Sequence, residues 1–192
     1  MIPNRLPAPP SRVPIVLSAA LLGLAASCAQ LSAQSRSFGP VIHSAGPVFE
    51  VPNPDVETPP EMQYRIAWEM VDPAPSPDQL NVHLVTAARF LNMHARAGVP
   101  VENLHLALVV HGQAGKAMLD DIGYREKEGV DNPNKELIRE LHDAGVRIIL
   151  CGQTAAARDL PRDRLLPEVE VALSAMTALL VLQDEGFHVN PF

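Results

Sequence analysis

Aromatic residues and cysteines are scarce in this chain, which excludes a core built from large rings and an intramolecular disulfide. Phe, Trp and Tyr make up 4% of the 192 residues, whereas hydrophobic residues of all types make up 47%. The core must therefore be built from Leu, Val, Ile and Ala, which is typical of an α/β layer fold. The two cysteines are Cys28 and Cys151. Because Cys28 lies in a segment with the pattern of a removed or acylated leader, Cys151 has no partner in its own chain and we expect no intramolecular disulfide.

Basic residues are also few. The chain has 15 Lys and Arg against 22 Asp and Glu, a formal charge of −7. Residues 1–33 contain Arg5 and Arg12 but no acid, so the remainder has 15 − 2 = 13 basic and 22 acidic residues, a net charge of −9. A surface of this sign repels a phosphate backbone. We therefore predict no binding to nucleic acid.

No hydrophobic run is long enough to span a bilayer. The apolar stretch at residues 13–26 is shorter than the ~20 residues that a transmembrane helix needs. Residues 1–33 have the pattern of a secretory signal, in which a positive lead and an apolar stretch are followed by small residues. We expect cleavage after Ala29 or Ala33 and a periplasmic or otherwise exported protein.

The same leader allows an alternative in which the protein is lipid-anchored. Residues 24–28 read Leu-Ala-Ala-Ser-Cys and resemble a lipobox, in which Cys28 would become a lipid-bearing N-terminus. Ala25 stands where leucine is usual, so soluble export is the preferred interpretation.

A proline-rich arm, residues 34–63, precedes an α/β domain, residues 64–192. The arm has six prolines, and we expect it to be extended and to lie on its own subunit or on a neighbour. The domain alternates short apolar strands with helices, which predicts a three-layer α/β/α sandwich with a mainly parallel sheet of the flavodoxin or Rossmann type. Strands are predicted at residues 64–71, 104–110, 146–150 and 169–173, with a short edge strand at 187–189.

The helices are predicted from caps and apolar spacing. Ser76 with Gln79 forms a capping box for a helix that runs to Gly98. Further helices are predicted at residues 113–122, 132–145, 153–159 and 174–185. The charged, glycine-containing segment at 123–130 predicts a solvated loop.

Two segments follow neighbouring strands at the edge of the sheet where ligands of parallel α/β folds bind. One begins with His111 and Gly112, and the other begins with Cys151. The helical turn after Cys151 would direct free N–H groups at its sulfur and lower the pKa of the thiol, which makes the nucleophilic thiolate. We predict Cys151 as the catalytic residue and place around it the binding residues His111, Gly112, Gly152, Gln153, Thr154 and Arg158. In the alternative reading, Cys151 is a small apolar residue that closes a strand.

Other candidate sites have weaker patterns. Residues 112–117 resemble a phosphate loop, but two residues instead of four separate the glycines and Ala117 replaces the Ser or Thr that would hold magnesium. The seven histidines have no spacing typical of zinc sites. We therefore predict neither a cofactor nor a metal site. A metal-binding protein remains a third possibility, which predicts that bound metal is lost on His111→Ala.

Several segments, taken together, resemble exported members of the DsrE/DsrF-like family. The resemblance is carried by residues 41–52, 109–112 (Val-Val-His-Gly), 145–154 (Gly-Val-Arg-Ile-Ile-Leu-Cys-Gly-Gln-Thr), 165–171 and 182–186. It implies a three-layer α/β domain that is often a trimer or hexamer. Cytoplasmic relatives relay sulfur as a persulfide on a cysteine whose position matches Cys151.

The sequence thus predicts a sulfur-handling protein that carries a persulfide on Cys151, a sulfurtransferase or sulfur carrier. Its partners would be a thiol protein or a small sulfur species. The alternative is a noncatalytic oligomeric module that binds small anions or other proteins, with Cys151 serving as packing.

Overall fold

A five-stranded, all-parallel β-sheet forms the centre of the computed structural model, which describes residues 36–190. The strand order is β4-β3-β2-β1-β5, and every adjacent pair is parallel. The strands are β1 (Tyr64–Met70), β2 (Leu104–Val110), β3 (Arg147–Cys151), β4 (Val169–Ala172) and β5 (His188–Val189). The predicted sheet is confirmed.

Helices cover both faces of this sheet, which completes three layers. The helices are α1 (Val82–Arg96), α2 (Asp121–Glu128), α3 (Lys135–Asp143), α4 (Gly152–Ala157) and α5 (Ala175–Asp184). Short 3-10 helices lie at Val101–Asn103, Gly112–Met118 and Arg162–Arg164. Buried residues of α1 and α3 pack on one face of the sheet and those of α5 pack on the other. The three-layer prediction is confirmed.

The alternation of side chains along each strand decides which residues meet α5. On β2, Leu106 and Leu108 point to the α1 and α3 side, whereas Ala107 and Val109 point to α5. Strand side chains alternate between faces with a period of two, so a run buried on both sides is apolar throughout. On β3 the same alternation places Cys151 on the α5 side.

Helix α1 begins at Val82, so the predicted start at Ser76 is wrong. Asn81 is the N-cap, and its Oδ1 accepts a hydrogen bond from the backbone N–H of His83 at 2.9 Å. The Ser76 hydroxyl instead bonds to the Asp78 carboxylate. The prolines on either side of Ser76 fix φ and remove backbone donors, so this segment forms turns before the helix starts.

Helix α2 occupies most of the segment that was predicted to be a loop. The Asp120 carboxylate accepts from Gly123 N–H at 2.7 Å and caps it. Gly129 ends it with a left-handed φ of +82°. The buried Tyr124 gives this charged helix its inward face. Helix α2 was not predicted because one buried aromatic residue among eight mostly polar positions is a weak periodic signal.

The arm packs against α1 of its own chain. Ile42, Ala45 and Val48 are buried there. Gly46 has φ +67°, and a Cβ at this position would lie 2.3 Å from the backbone nitrogen of Arg89. A glycine is needed at residue 46 for the arm to lie this close to the helix.

The predicted leader, residues 1–33, lies outside the described residues. Within residues 36–190 no helix is both long and apolar enough to cross a membrane.

Candidate functional site

Cys151 is the last residue of β3, and its side chain is buried under α5 with 6% of the residue exposed. Small apolar groups surround it, among them Val109, Ala175 and Ala178. Burial of this kind disfavours the charged form of a thiol. By itself, the apolar packing fits a structural cysteine.

The sulfur also accepts a hydrogen bond. Cys151 is the N-cap of α4, and Sγ accepts from the backbone N–H of Thr154 at 3.4 Å. Burial raises the pKa of the Cys151 thiol, but hydrogen bonds from the Thr154 backbone and hydroxyl and from the N–H groups of Ala175 and Gln153 lower it more. The net effect places the pKa below its ordinary value.

These donors come from two helices. Gln153 and Thr154 belong to the first turn of α4, and Ala175 is the first residue of α5. The free N–H groups of a helix N-terminus carry partial positive charge, so two such ends favour a thiolate between them.

Gly152 brings β3 close to β4. A Cβ at residue 152 would lie 2.7 Å from the carbonyl oxygen of Ala172 and 3.2 Å from that of Leu173. Backbone atoms cannot yield as a flexible side chain can. Gly152 therefore lets the start of α4 lie against the end of β4, beside the first turn of α5.

Thr154 joins the two segments that the sequence placed at this edge. Its hydroxyl accepts from the backbone N–H of Gly112 at 3.2 Å, while its own N–H donates to the sulfur. Gly112, Thr154 and Cys151 therefore form one connected group.

Val110 of β2 pairs with Leu150 of β3. His111 follows Val110 and Cys151 follows Leu150, so the two residues occupy equivalent positions on neighbouring strands. The Nε2 of His111 lies 3.1 Å from Oε1 of Glu69, on β1. Since β1 and β3 flank β2 on opposite sides, this partner holds the imidazole on the side away from Cys151.

The other two predicted binding residues lie at the margins of the site. The Gln153 side chain is exposed and donates to the carbonyl of Leu173 at 3.5 Å. Arg158 is the C-cap of α4, at the end opposite Cys151. Its backbone bonds to Thr154 and Lys127, and within residues 36–190 its guanidinium makes no hydrogen bond or ion pair.

The contribution of α5 was not predicted. Ser174 was recognised as its cap, and the Ser174 hydroxyl does accept from Thr177 N–H at 3.0 Å. The next residue, Ala175, lies near the sulfur because β4 lies beside β3 in the sheet. Strand order was the missing information. The signal available was the short connection between β4 and α5, which had to place a helix start at the same sheet edge.

A cavity of about 180 Å³ lies between β4 and α5. Four of its lining residues, Ile149, Ala172, Ala178 and Leu182, belong to or pack against the apolar cluster that contains Cys151. Larger or similar cavities lie elsewhere: about 620 Å³ between the arm and α1, and about 190 Å³ beside Lys116. The cavity under α5 is the smallest of the three. Cys151 does not line it, but several residues of its wall belong to the apolar cluster that contains Cys151.

In the part of the chain that the structure describes, no group of three or more His, Cys, Asp or Glu side chains could hold a metal ion.

The fold and the capped thiol define an α/β sandwich protein with a cysteine, Cys151, at the carboxyl edge of a parallel sheet. The family model of the DsrE/DsrF-like family matches residues 70–191, and the chain belongs to this family. A solved structure of a protein of unknown function from Methanobacterium thermoautotrophicum is similar, with 20% identity and a TM-score of 0.50 over 67% of this chain and 99% of the other. At this identity the likeness concerns the fold. No curated protein matches the chain.

Proposed function

We propose that the protein is a sulfur carrier that holds a sulfane sulfur as a persulfide on Cys151. The observation that supports this most is the hydrogen bond that the backbone N–H of Thr154, in the first turn of α4, donates to Sγ at 3.4 Å. A donor at this position favours the thiolate, which is the form that attacks sulfur.

The proposed transfer balances without an external oxidant. The Cys151 thiolate attacks the outer sulfur of a donor persulfide, R–S–SH, and forms a new S–S bond at Sγ. The donor S–S bond breaks, and its electron pair leaves on R–S⁻. In the second half-reaction an acceptor thiolate attacks the outer sulfur, and Cys151 leaves again as a thiolate.

The donor must be small. Only 6% of Cys151 is exposed, and the cavity whose wall shares the apolar cluster of Cys151 has a volume of about 180 Å³. The lining is mainly aliphatic, and its cation Arg147 is already paired with Glu170 and Glu185. A short polysulfide or a low-molecular-weight persulfide fits these limits better than a bulky anion.

Mass spectrometry of the native protein tests the proposal. After polysulfide treatment we expect Cys151 to gain a single sulfur, about 32 Da, that dithiothreitol removes. Cys151→Ser, which keeps the size of the side chain, should gain nothing at this position. Labelling of wild-type protein only after denaturation in urea would contradict the proposal, because the thiol would then be inaccessible in the folded state.

A second candidate, an oligomeric interaction module, is favoured by the outer side of α5. Leu173 and Met176 are each 74% exposed, and Leu180 and Val181 continue the same stripe. A stripe of this kind on a monomer marks an interaction surface. Association into a trimer or hexamer is compatible with either function, and in the module Cys151 would serve only as packing.

We also propose that the mature protein acts outside the cytoplasm. The support is the composition of residues 1–33, with its early arginines, apolar stretch and small residues. Anchoring through Cys28 is the alternative route to the same compartment.

A further inference from the structure

We propose that the imidazole of His111, oriented by Glu69, is the general base that takes the proton of an acceptor thiol as this thiol removes the outer sulfur from Cys151. This role rests on the proposed function, whose second half-reaction it completes. Three side chains on neighbouring strands support it: Glu69 on β1, His111 directly after β2 and Cys151 at the end of β3.

All three side chains lie on the α5 side of the sheet. Ala67 of β1 and Val109 of β2 pack in the layer under α5, as Cys151 does. Glu69 and His111 each stand two residues further along the same strands, and strand side chains alternate between faces with a period of two. The backbone at His111 is still extended, with φ −151° and ψ −172°, so this alternation holds at the strand end.

His111 is the polar neighbour of Cys151 on this face. Because Val110 pairs with Leu150, the backbones that carry the histidine and the cysteine are adjacent, at the spacing of about 4.7–4.9 Å between paired strands. The side chains that share the α5 layer with Cys151 are apolar. The His111 side chain, in contrast, is 27% exposed and that of Glu69 is 45% exposed. A thiol that reaches Cys151 along this face of the sheet therefore passes His111.

Glu69 determines which nitrogen of the neutral imidazole can accept a proton. Nε2 of His111 lies 3.1 Å from Oε1 of Glu69. A carboxylate only accepts hydrogen bonds, so Nε2 carries the proton and Nδ1 keeps its lone pair. Within the residues that the structure describes, Nδ1 makes no hydrogen bond. The basic nitrogen is therefore free for an incoming donor.

The position of His111 suits the proton of an acceptor thiol better than the proton of Cys151. In the described part of the chain no hydrogen bond joins the imidazole to Sγ, which accepts from Thr154 instead. The outer sulfur of a persulfide on Cys151 and the attacking sulfur need room beside the cysteine, and a base that contacted Sγ would fill it.

The step balances. Nδ1 of His111 takes the proton of R–SH, and the sulfur of R attacks the outer sulfur of the persulfide. The S–S bond to Cys151 breaks, and its electron pair leaves on Sγ as a thiolate. The product is R–S–SH, and the imidazolium returns its proton to solvent.

The experiment compares two acceptors on protein that has been loaded with sulfur at Cys151. The alkyl thiol 2-mercaptoethanol is mostly protonated at neutral pH and needs a base, whereas the aryl thiol 4-nitrothiophenol is already a thiolate. His111→Gln keeps an amide that can donate to Glu69 but cannot take up a proton. With the alkyl thiol we expect this variant to release sulfur about 100-fold more slowly than the wild type, because general base catalysis is lost. With the aryl thiolate the two rates, followed by intact mass, should agree within about twofold.

Two further variants complete the comparison. Glu69→Gln should slow release to the alkyl thiol and spare release to the aryl thiolate, because the ring loses the acceptor that fixes its tautomer. His105→Gln is the matched control, since His105 lies on the same strand at its opposite end and bonds to Gln63. This control should match the wild type with both acceptors.

Wild-type rates for His111→Gln with the alkyl thiol would overturn the role of His111. Equal slowing with both acceptors would also overturn it, because a distorted site slows every acceptor alike. Loading with sulfur is measured first and judges the carrier function separately. A wild type that takes up no sulfur contradicts the carrier and the base together, whereas a protein that loads and then releases sulfur independently of His111 keeps the carrier function and loses the base.

Discussion

At the residue scale, a buried amide on α1 bonds to several backbone groups of the arm and helps to hold it on the domain. Asn92, on α1, is fully buried, and its Oδ1 accepts from the N–H groups of Val41 and Ile42 at 3.1 and 2.8 Å. Its Nδ2 donates to the carbonyls of Ile42 and Gly46 at 2.8 and 3.1 Å. This role could not be predicted from the sequence, because an asparagine in a helix acquires such partners only when a distant segment folds onto it.

Asn92→Leu should therefore destabilise the protein strongly. The change leaves several buried backbone groups of the arm without partners, and we expect a loss of about 2–4 kcal/mol in the free energy of unfolding. Urea denaturation measures this. Asn103→Leu is the control, since Asn103 makes its bonds near the surface to Gln63 and Pro60. Equal stability of the two variants would contradict the role assigned to Asn92.

Helix α5 has two apolar sides, one that is buried and one that is exposed. Ala175, Ala178 and Leu182 are buried against the sheet. Met176 and Leu180 lie on the outer side, and residues 175–183 contain no charged side chain. The sequence predicted this helix, its Ser174 cap and its apolar character. The apolar pattern could not separate the side that meets the sheet from the side that is exposed.

Leu180→Glu tests whether copies of the chain associate through α5. Like charges brought together in an apolar contact oppose association, so we expect the molar mass from light scattering during size exclusion to fall from that of an oligomer to that of a monomer. Met93→Glu is the matched control, because Met93 is 45% exposed on α1, in the opposite layer. An unchanged mass for Leu180→Glu, or a monomeric wild type, would exclude this surface as the assembly contact.

At the scale of the whole molecule, the sheet and part of the site could be predicted. Apolar runs give the strands, and parallel strands bring their carboxyl ends to one edge, so Gly112 and Cys151 were expected to be neighbours and they are linked through Thr154. The His111 pairing with Glu69 and the approach of Ala175 to the sulfur were not predicted. Both depend on which strands are adjacent, which apolar runs do not encode.

Export predicts a shortened chain. Since residues 1–33 have the pattern of a cleaved signal, the protein recovered from a periplasmic extract should begin at Gln30 or Gln34. N-terminal sequencing and intact mass distinguish these sites. A mass that includes lipid on Cys28 would support the anchored alternative, whereas an intact Met1 in the cytoplasmic fraction would contradict export.

The family match and the folded domain begin at different residues. The family match begins at Met70, the final residue of β1, yet β1 lies between β2 and β5 in the sheet. Buried Ile42 and Val48 extend the interdependent part of the chain further forward still. A fragment that began at Met70 would lose an inner strand together with the segment that covers α1, so the matched region alone does not contain the whole folding unit.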